Sequence, residues 1–136
     1  MPDIRRQFEL LEQDRGYLDE RNLVWETVID GSLRWILLQD YHIIDGYNNR
    51  NANIALELPQ SYPDTQIDMA YFFPHLTRLD GKGIRQLADR SIDGRVWQRW
   101  SRHRTQANPW RRGYDCIETH LLLVEEWLER ELRDTA

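Results

Sequence analysis

A helical period of hydrophobic residues dominates the last quarter of the chain. Four apolar residues recur there at intervals of three and four positions, the spacing of an amphipathic helix with one buried face: Ile117, Leu121, Val124 and Leu128. Asp115, with Glu118 three residues later, forms a candidate capping box at the start of this segment. The pattern predicts a helix from about Cys116 to Leu132.

A shorter helical pattern lies at the start of the chain. Its apolar residues are again spaced by four and three positions: Ile4, Phe8 and Leu11. We therefore predict a short helix from Pro2 to about Asp14. Gly16 is expected to end it, because glycine favours helix termini.

Between the two helices the pattern changes to one typical of β-strands. Residues that favour strands, or that alternate between apolar and polar, fill four stretches: Asn22–Asp30, Leu33–Leu38, Ala52–Leu58 and Ile67–Phe73. Asp30-Gly31 is a strong tight-turn signal between the first two, and Pro59 and Pro63 interrupt the pattern between the last two. The prediction is an α+β protein with an N-terminal helix, a four-stranded antiparallel meander and a C-terminal helix.

Residues 74–112 show little periodicity of either kind. Nearly forty residues without predicted helices or strands is long for a connection in a small domain, and such segments usually carry function. We therefore expect this segment to be functional.

The composition fits one soluble domain over residues 1–136. A chain of this length, 40% hydrophobic, can build one hydrophobic core. One cysteine excludes an internal disulfide and a multi-thiolate zinc site. No stretch approaches the roughly 20 apolar residues of a membrane span, and the N-terminus lacks the apolar core of a secretory signal, so we expect a cytoplasmic protein without a membrane partner.

Charge is distributed unevenly along the chain. The net charge is −5, yet residues 77–112 carry ten basic residues against three acidic ones. Such a segment favours an anionic partner, which could be a nucleic acid, an acidic protein surface or a nucleotide. The alternative is that its arginines form salt bridges with the acidic helices of the same chain.

Metal and nucleotide sites lack support in the sequence. The four histidines show no short spacing with carboxylates that would suggest a metal site. The stretch Asp80-Gly81-Lys82-Gly83 lacks the Ser or Thr that completes a phosphate-binding loop. We expect neither a metal nor a cofactor.

Several local stretches resemble one family when taken in order. Val24–Gly31, Asn53–Pro63 with its Tyr62-Pro63, and Trp110 ahead of the last helix are similar to features of ubiquitin-conjugating enzymes. Those features are the first strand with its Trp, the third strand with its Tyr-Pro turn, and the tryptophan before the closing helix. The resemblance covers most of the chain and implies the UBC fold.

A bacterial branch of that fold is more similar still. Leu58-Pro59, Asp68-Met69 and the stretch Trp97–His103 resemble prokaryotic ubiquitin-conjugating family E, which occurs with ubiquitin-like proteins and activating enzymes. The resemblance implies three partners, namely a ubiquitin-like protein, its activating enzyme and a target protein. Nucleic acid is a less favoured partner.

The residues that carry the chemistry of ubiquitin-conjugating enzymes are missing. In that family a His-Pro-Asn motif precedes, by about ten residues, the cysteine whose thiolate accepts the ubiquitin C-terminus; here Pro74-His75-Leu76 lies in its place. Counting on from His75 puts Arg85 at the position of the cysteine, whereas matching the turn at Asp93-Gly94 puts Trp97 there. Neither alignment supplies a thiol.

Ser101 with His103 is the first candidate for a replacement. In an extended segment the two side chains would project from the same face, so the imidazole could accept the hydroxyl proton and a serine ester could form. Nearby arginines could stabilise the carbonyl oxygen or hold an acidic tail: Arg99, Arg102 and Arg104. The alternative is an ordinary surface hydroxyl beside a surface histidine.

Cys116 is the second candidate. It lies at the predicted start of the last helix, where the helix dipole and His120, four residues on, could both favour a thiolate. Asp115 and Glu118 oppose negative charge there. A lone cysteine beside an apolar stripe is more often a small core residue.

Other candidates carry weaker signals. His75 could help to position the cleft, and Ser91 is an acceptor candidate without an adjacent histidine. Three tryptophans could line a groove for an extended peptide: Trp97, Trp100 and Trp110. The other three are expected in the core: Trp25, Trp35 and Trp127.

Three hypotheses of function follow. In the first, the chain accepts a ubiquitin-like C-terminus on Ser101 as an oxyester and transfers it to a target. In the second, it is a noncatalytic variant that binds the activating enzyme or the ubiquitin-like protein. In the third, residues 77–112 bind nucleic acid, with an affinity that falls steeply as salt rises.

Overall fold

The protein is an α+β fold in which two helices pack against one antiparallel sheet of six strands. The structure is a computed structural model that describes residues 4–134. The elements, in chain order, are α1 Glu12–Glu20, β1 Val24–Asp30, β2 Leu33–His42, β3 Asn51–Leu58, β4 Ala70–Phe73, β5 Leu87–Ile92, β6 Arg95–Trp100 and α2 Ile117–Asp134. The strands lie in the order β1-β2-β3-β4-β6-β5.

The first hairpin is confirmed. Asp30 pairs with Leu33 across a turn in which Gly31 has φ +64°, a left-handed conformation that glycine adopts without strain. The third and fourth predicted strands are also present, with different first residues. β3 begins one residue before the predicted Ala52, and β4 begins at Ala70 rather than Ile67.

The sheet has six strands, two more than the four that were predicted. β5 and β6 form a second hairpin within residues 74–112, the segment predicted to lack elements, and β6 pairs with β4. Their turn is Asp93-Gly94, with φ angles of 52° and 79°. The hairpin was missed because Gln98, a polar residue, faces the core, which breaks the expected alternation of apolar and polar positions.

The tip of the second hairpin folds over the side of the sheet that carries no helix. Ile92 is buried there in a cluster with Val28 and Leu37. The backbone N–H of Asp93 donates to the carboxylate of Asp30 at 2.9 Å. Arg5 forms an ion pair with the Asp93 carboxylate at 2.7 Å. The sheet therefore curls on itself and buries a second hydrophobic cluster without a covering helix.

The larger core lies on the other side of the sheet, beneath α2. Trp100 is fully buried there and packs against Phe72, with ring centroids 5.3 Å apart. The tryptophans predicted for the core are buried as expected: Trp25, Trp35 and Trp127. No helix within residues 4–134 is long and apolar enough to cross a membrane.

The predicted N-terminal helix is present but shifted, because α1 spans Glu12–Glu20 rather than Pro2 to Asp14. Pro2 lies outside the described residues, and residues 4–11 precede α1. The N–H of Gln7 donates to the carbonyl of Thr27 at 2.9 Å, and the N–H of Thr27 donates to the carbonyl of Arg5 at 3.1 Å, so this segment pairs with the edge of β1. Gly16, predicted to end the helix, lies inside α1.

The C-terminal helix is confirmed, but the predicted capping box is not formed. The carboxylate of Asp115 accepts the backbone N–H of Arg111 at 2.6 Å instead. The N–H of Cys116 donates to the hydroxyl of Thr119 at 2.9 Å. Two distant residues accept the N–H of Ile117, the hydroxyl of Tyr62 at 2.9 Å and the carboxylate of Asp14 at 3.3 Å. The start of α2 is therefore joined to α1 and to the β3–β4 loop.

Candidate functional site

The segment after β4 is held rigidly although it is neither helix nor strand. The side chain of Gln98 accepts the N–H of Leu76 at 3.0 Å and donates to its carbonyl at 2.9 Å. Asn48 makes the equivalent pair of bonds to the carbonyl of His75 at 3.2 Å and the N–H of Thr77 at 2.8 Å. Backbone groups that a sheet would pair are thus satisfied by two amide side chains.

Within residues 4–134, no hydrogen bond joins the His75 ring to a serine or to Cys116. Its Nε2 lies 2.8 Å from the carboxylate of Asp89 on β5, and both side chains are exposed. Ser91 lies on the same strand and is exposed. The structure therefore places His75 in a surface pair with Asp89, and its proposed role in positioning a cleft stays a prediction.

The chain turns at Ser101, directly after β6 and at the first residue of the proposed pair. The N–H of Arg102 donates to the carbonyl of Trp100 at 3.0 Å, which makes a tight three-residue turn centred on Ser101 and ends the extended geometry on which the pairing depended. His103 Nδ1 lies 3.0 Å from the carboxylate of Asp68, which leaves Nε2 without a partner in the described part of the chain. No hydrogen bond joins the two candidate residues within residues 4–134.

Cys116 is a buried free cysteine, and its proposed catalytic role stays a prediction. Its side chain is 6% exposed, and Gln13 Nε2 lies 3.6 Å from the sulphur. The His120 ring makes its hydrogen bond elsewhere, with Nε2 2.9 Å from the carbonyl of Met69. Burial lowers the pKa of His120 to about 4, so this imidazole is neutral at neutral pH and provides no charge to stabilise a thiolate.

Arg104 is also buried, beside His120. Its Nη1 lies 3.8 Å from the carboxylate of Asp115, while Nε and Nη2 are buried without a hydrogen-bond partner. Burial lowers the pKa of Arg104 from its usual value. Its guanidinium lies over the ring of Trp110, whose Nε1 donates to the carbonyl of Pro63 at 2.9 Å. These contacts fasten the segment between β6 and α2.

The predicted peptide groove is largely taken up by the core. Trp97 and Trp100 are almost fully buried and donate their indole N–H groups to the Ile92 carbonyl and to Gln98. Trp110 is half-buried. Arg99 remains at the surface of the curled sheet, with its Nε buried and unpaired. The two buried rings thus have little surface left to offer a peptide.

The carboxylate of Glu131 is fully buried and pairs with arginines of residues 74–112. Glu131 on α2 accepts hydrogen bonds from Arg102 Nη2 at 2.9 Å and Arg85 Nε at 3.2 Å, and Arg78 Nη1 lies 3.7 Å away. Arg78 also pairs with Asp80 at 2.6 Å. Three arginines from the long segment therefore converge on one glutamate of the C-terminal helix.

An open cleft lies at the surface of this cluster. It has a volume of about 290 Å³ and is lined by Arg85, Arg102, His103, Trp127, Arg130, Glu131 and Asp134. Arg85 is the residue that, counted from His75, stands where ubiquitin-conjugating enzymes have their cysteine. The cleft is the place in the described chain where the predicted residues Arg102 and His103 meet.

The family of the chain is decided by a comparison with protein-family models. The model of prokaryotic E2 family E matches residues 10–131, which is most of the chain. The chain belongs to this family. Neither the curated proteins nor the solved structures gave a match.

Membership of family E supports a role in ubiquitin-like conjugation. It also implies, in general terms, interaction with a ubiquitin-like protein and with an activating enzyme. Within residues 4–134 of this family E chain, no three His, Cys, Asp or Glu side chains are grouped so that they could hold a metal ion.

The basic segment is largely paired with acids of the same chain. Six of its ten basic residues lie within 4 Å of a carboxylate: Arg78, Arg85, Arg102, Arg104, Arg111 and Arg112. These pairs leave few free cations for a row of phosphates, so they favour the salt-bridge interpretation of the segment over a nucleic-acid surface.

Sequence reasoning missed the α2 side of the cleft. Trp127 and Arg130 carried no signal of their own, because each fits the ordinary pattern of an amphipathic helix. Glu131 was the detectable one, since a glutamate on the apolar side of a helix requires a buried cationic partner.

Proposed function

We propose that this family E chain acts in ubiquitin-like conjugation as a module that binds its partners without forming a thioester. The observation that carries the proposal is the position of Cys116. It is the one cysteine of the sequence, and it is buried just before α2, with Gln13 of α1 against its sulphur. Thioester exchange requires a thiolate that reaches the incoming carbonyl carbon, and burial keeps this sulphur from doing so.

Under this proposal the partners are a ubiquitin-like protein and its activating enzyme, with a target protein brought to them. The protein would hold these partners in position and would form no covalent bond with them. The long segment supports this role, because Gln98, Asn48 and Glu131 fix it against the sheet and α2. A rigid surface binds a partner with less loss of conformational entropy than a mobile loop would.

Incubation with the cognate activating enzyme, ubiquitin-like protein and ATP is expected to give no adduct that a mild reductant cleaves. Gel electrophoresis without and with reductant measures this. Calorimetry should show that the chain binds the ubiquitin-like protein or the activating enzyme, and that Cys116→Ser binds equally well. A reductant-sensitive adduct that disappears in Cys116→Ser would contradict the proposal.

A second candidate function is transfer through Ser101, favoured by the pairing of Asp68 with His103. Asp68 holds Nδ1 and leaves Nε2 open to accept a proton, as a general base requires. Ser101 Oγ would attack the thioester carbonyl on the activating enzyme, His103 Nε2 would take the hydroxyl proton, and the enzyme's thiolate would leave.

The adduct chemistry separates the two candidates. An oxyester resists mild reductant but is cleaved by base or hydroxylamine. An adduct of that kind, lost in Ser101→Ala and retained in Cys116→Ala, is expected from the serine mechanism. No adduct under any condition, together with measurable binding, is expected from the noncovalent module.

A further inference from the structure

The outer edge of the sheet at β5 has backbone groups without a partner. β5 is the last strand in the sheet, and β6 is its only neighbour. The carbonyl of Gln86 accepts the N–H of Ser101 at 3.1 Å, one step beyond the paired strands, and every second residue of an antiparallel strand bonds to its neighbour in this way. Even-numbered residues of β5 therefore face β6. Three exposed residues direct their backbone groups outward, and no other backbone segment within residues 4–134 bonds to them: Leu87, Asp89 and Ser91.

Three arginines lie beside this edge, on the helix-free side of the sheet. The guanidinium carbon of Arg90 is 5.5 Å from the centroid of the Trp35 ring, and that of Arg95 is 4.7 Å from the centroid of the Phe73 ring. Arg99 Nε is buried and has no hydrogen-bond partner. Within residues 4–134, no carboxylate forms an ion pair with any of the three. This part of the surface is therefore positively charged.

The three arginines are also neighbours in the sheet. Arg90 pairs with Trp97 of β6, and Arg95 and Arg99 stand two positions from Trp97 on either side. Diagonal neighbours of this kind lie about 7–8 Å apart. Like charges at this spacing repel each other unless a counter-charge lies among them. An acidic partner would supply that charge.

An extended acidic polypeptide fits both the edge and the arginines. A strand added to β5 would bond to its outward backbone groups, and the side chain opposite Arg90 would lie on the helix-free side, because directly opposite residues share a face. Acids at every second position would then lie beside Arg90. A nucleic acid fits less well, since three cations contact few phosphates and the rings beneath Arg90 and Arg95 are covered by the guanidinium groups.

We propose that β5 accepts an antiparallel strand from an acidic polypeptide in which every second residue is a carboxylate facing Arg90. The positions between the acids would lie on the side of the sheet that carries α2, where Leu87 is 39% exposed and offers an apolar contact. Residues such as valine, which favour strands, suit these positions. None of the β5 residues lines the cleft beside Glu131, and the proposal does not depend on the proposed function.

The first test compares three hexapeptides by calorimetry on the 136-residue protein. The probe is acetyl-Glu-Val-Glu-Val-Glu-Val-amide. One control replaces each Glu by Gln, and the other keeps the Glu residues but N-methylates the Val residues, which removes the N–H groups that would bond to β5. The probe is expected to bind at least tenfold more tightly than either control. Equal binding of the Gln peptide would overturn the acidic preference, and equal binding of the N-methylated peptide would overturn the added strand.

The second test locates the bound probe by NMR-detected hydrogen exchange. The amide protons of Leu87, Asp89 and Ser91 are expected to exchange more slowly in the complex, while those of Ala88 and Arg90, already bonded to β6, should change less. Slowing elsewhere but not at the three outward amides would overturn the proposal. Protection of these amides in the protein alone, rising with its concentration, would show that a second copy occupies the edge and would also overturn it.

The third test changes the protein. Ser91→Pro removes an outward N–H that β6 does not use, a change that edge strands tolerate, and is expected to weaken binding of the probe about tenfold. Ser91→Thr keeps the N–H and should bind as the wild type does. Arg90→Gln is expected to weaken binding about fivefold, whereas Arg112→Gln, which makes the same charge change at another exposed arginine, should leave it unchanged.

Unaltered affinity in both Ser91→Pro and Arg90→Gln would overturn the assignment of the site. The hexapeptide comparison uses the wild-type protein, so it decides the proposal even if Ser91→Pro does not fold. A hexamer of deoxythymidylate is titrated in parallel. If it binds more tightly than the probe and loses affinity in Arg90→Gln, the surface is a nucleic-acid site and the proposal is wrong.

Discussion

Glu131→Gln is expected to lower the free energy of unfolding by about 3–5 kcal/mol, the range for breaking a buried ion pair by removing one partner. The wild-type carboxylate is fully buried and shared by Arg78, Arg85 and Arg102. Glutamine keeps the volume but removes the charge. Arg78, which is buried, and Arg102 would each lose the charge of a carboxylate that pairs with them.

Urea denaturation followed by tryptophan fluorescence measures this change. Glu129→Gln is the matched control, because Glu129 pairs with Arg133 at 3.6 Å on the exposed side of the same helix. Exposed pairs contribute about 0–1 kcal/mol, so the control should change stability little. A loss in Glu131→Gln no larger than in the control would show that the three arginines are held by other contacts.

Acid is expected to destabilise the protein through His120 by about 3 kcal/mol between pH 6.5 and pH 4. Burial lowers the pKa of His120 from 6.5 to about 4 in the folded state. Between these values the unfolded chain binds a proton that the folded chain does not, so stability falls as the pH falls. The loss is complete below the folded pKa.

The charged groups around His120 do not remove this effect. Arg104 lowers its pKa further, while Asp68 and Asp115 raise it by smaller amounts than burial lowers it. The free energy of unfolding is measured at several pH values in His120→Gln and in the wild type. On acidification the variant should lose about 3 kcal/mol less of this free energy than the wild type does. His42→Gln, which changes an exposed histidine, should keep the wild-type dependence. Parallel curves for His120→Gln and wild type would contradict the assignment.

The parts of the fold that local pattern governs could be predicted from the sequence. The α2 period, the Asp30-Gly31 turn and the strands beside it are decided by residues close together in the chain. The N-terminal segment could not, because Ile4, Phe8 and Leu11 have helical spacing but residues 5–7 pair with the edge of β1. A strand edge that is distant in sequence outweighed the local pattern.

The second hairpin was hidden for a different reason. Asp93-Gly94 gives the same turn signal as Asp30-Gly31, but the strands around it carry arginines on one side and a buried Gln98 on the other. Gln98 is tolerated in the core because the backbone of Leu76 satisfies its amide. No pattern of apolar residues reports a hydrogen bond between positions 22 residues apart.

The candidate site could be predicted only in part. Ser101, Arg102 and His103 were found from their residue types, and Arg102 and His103 do line the cleft. The direction of each side chain depends on the turn at Ser101 and on Asp68, which lies on another part of the chain. Sequence spacing therefore identified the neighbourhood but not which groups would face each other.

Asn48 and Gln98 form hydrogen bonds to the backbone of residues 75–77. This stretch is therefore held in place although it belongs to no helix or strand. The buried amide of Leu76 is expected to exchange with solvent more slowly than an unbonded loop amide, although a diagram of helices and strands draws this stretch as a loop. Grafting the Arg85 cleft into another scaffold would therefore require carrying these two amide side chains along with the arginines.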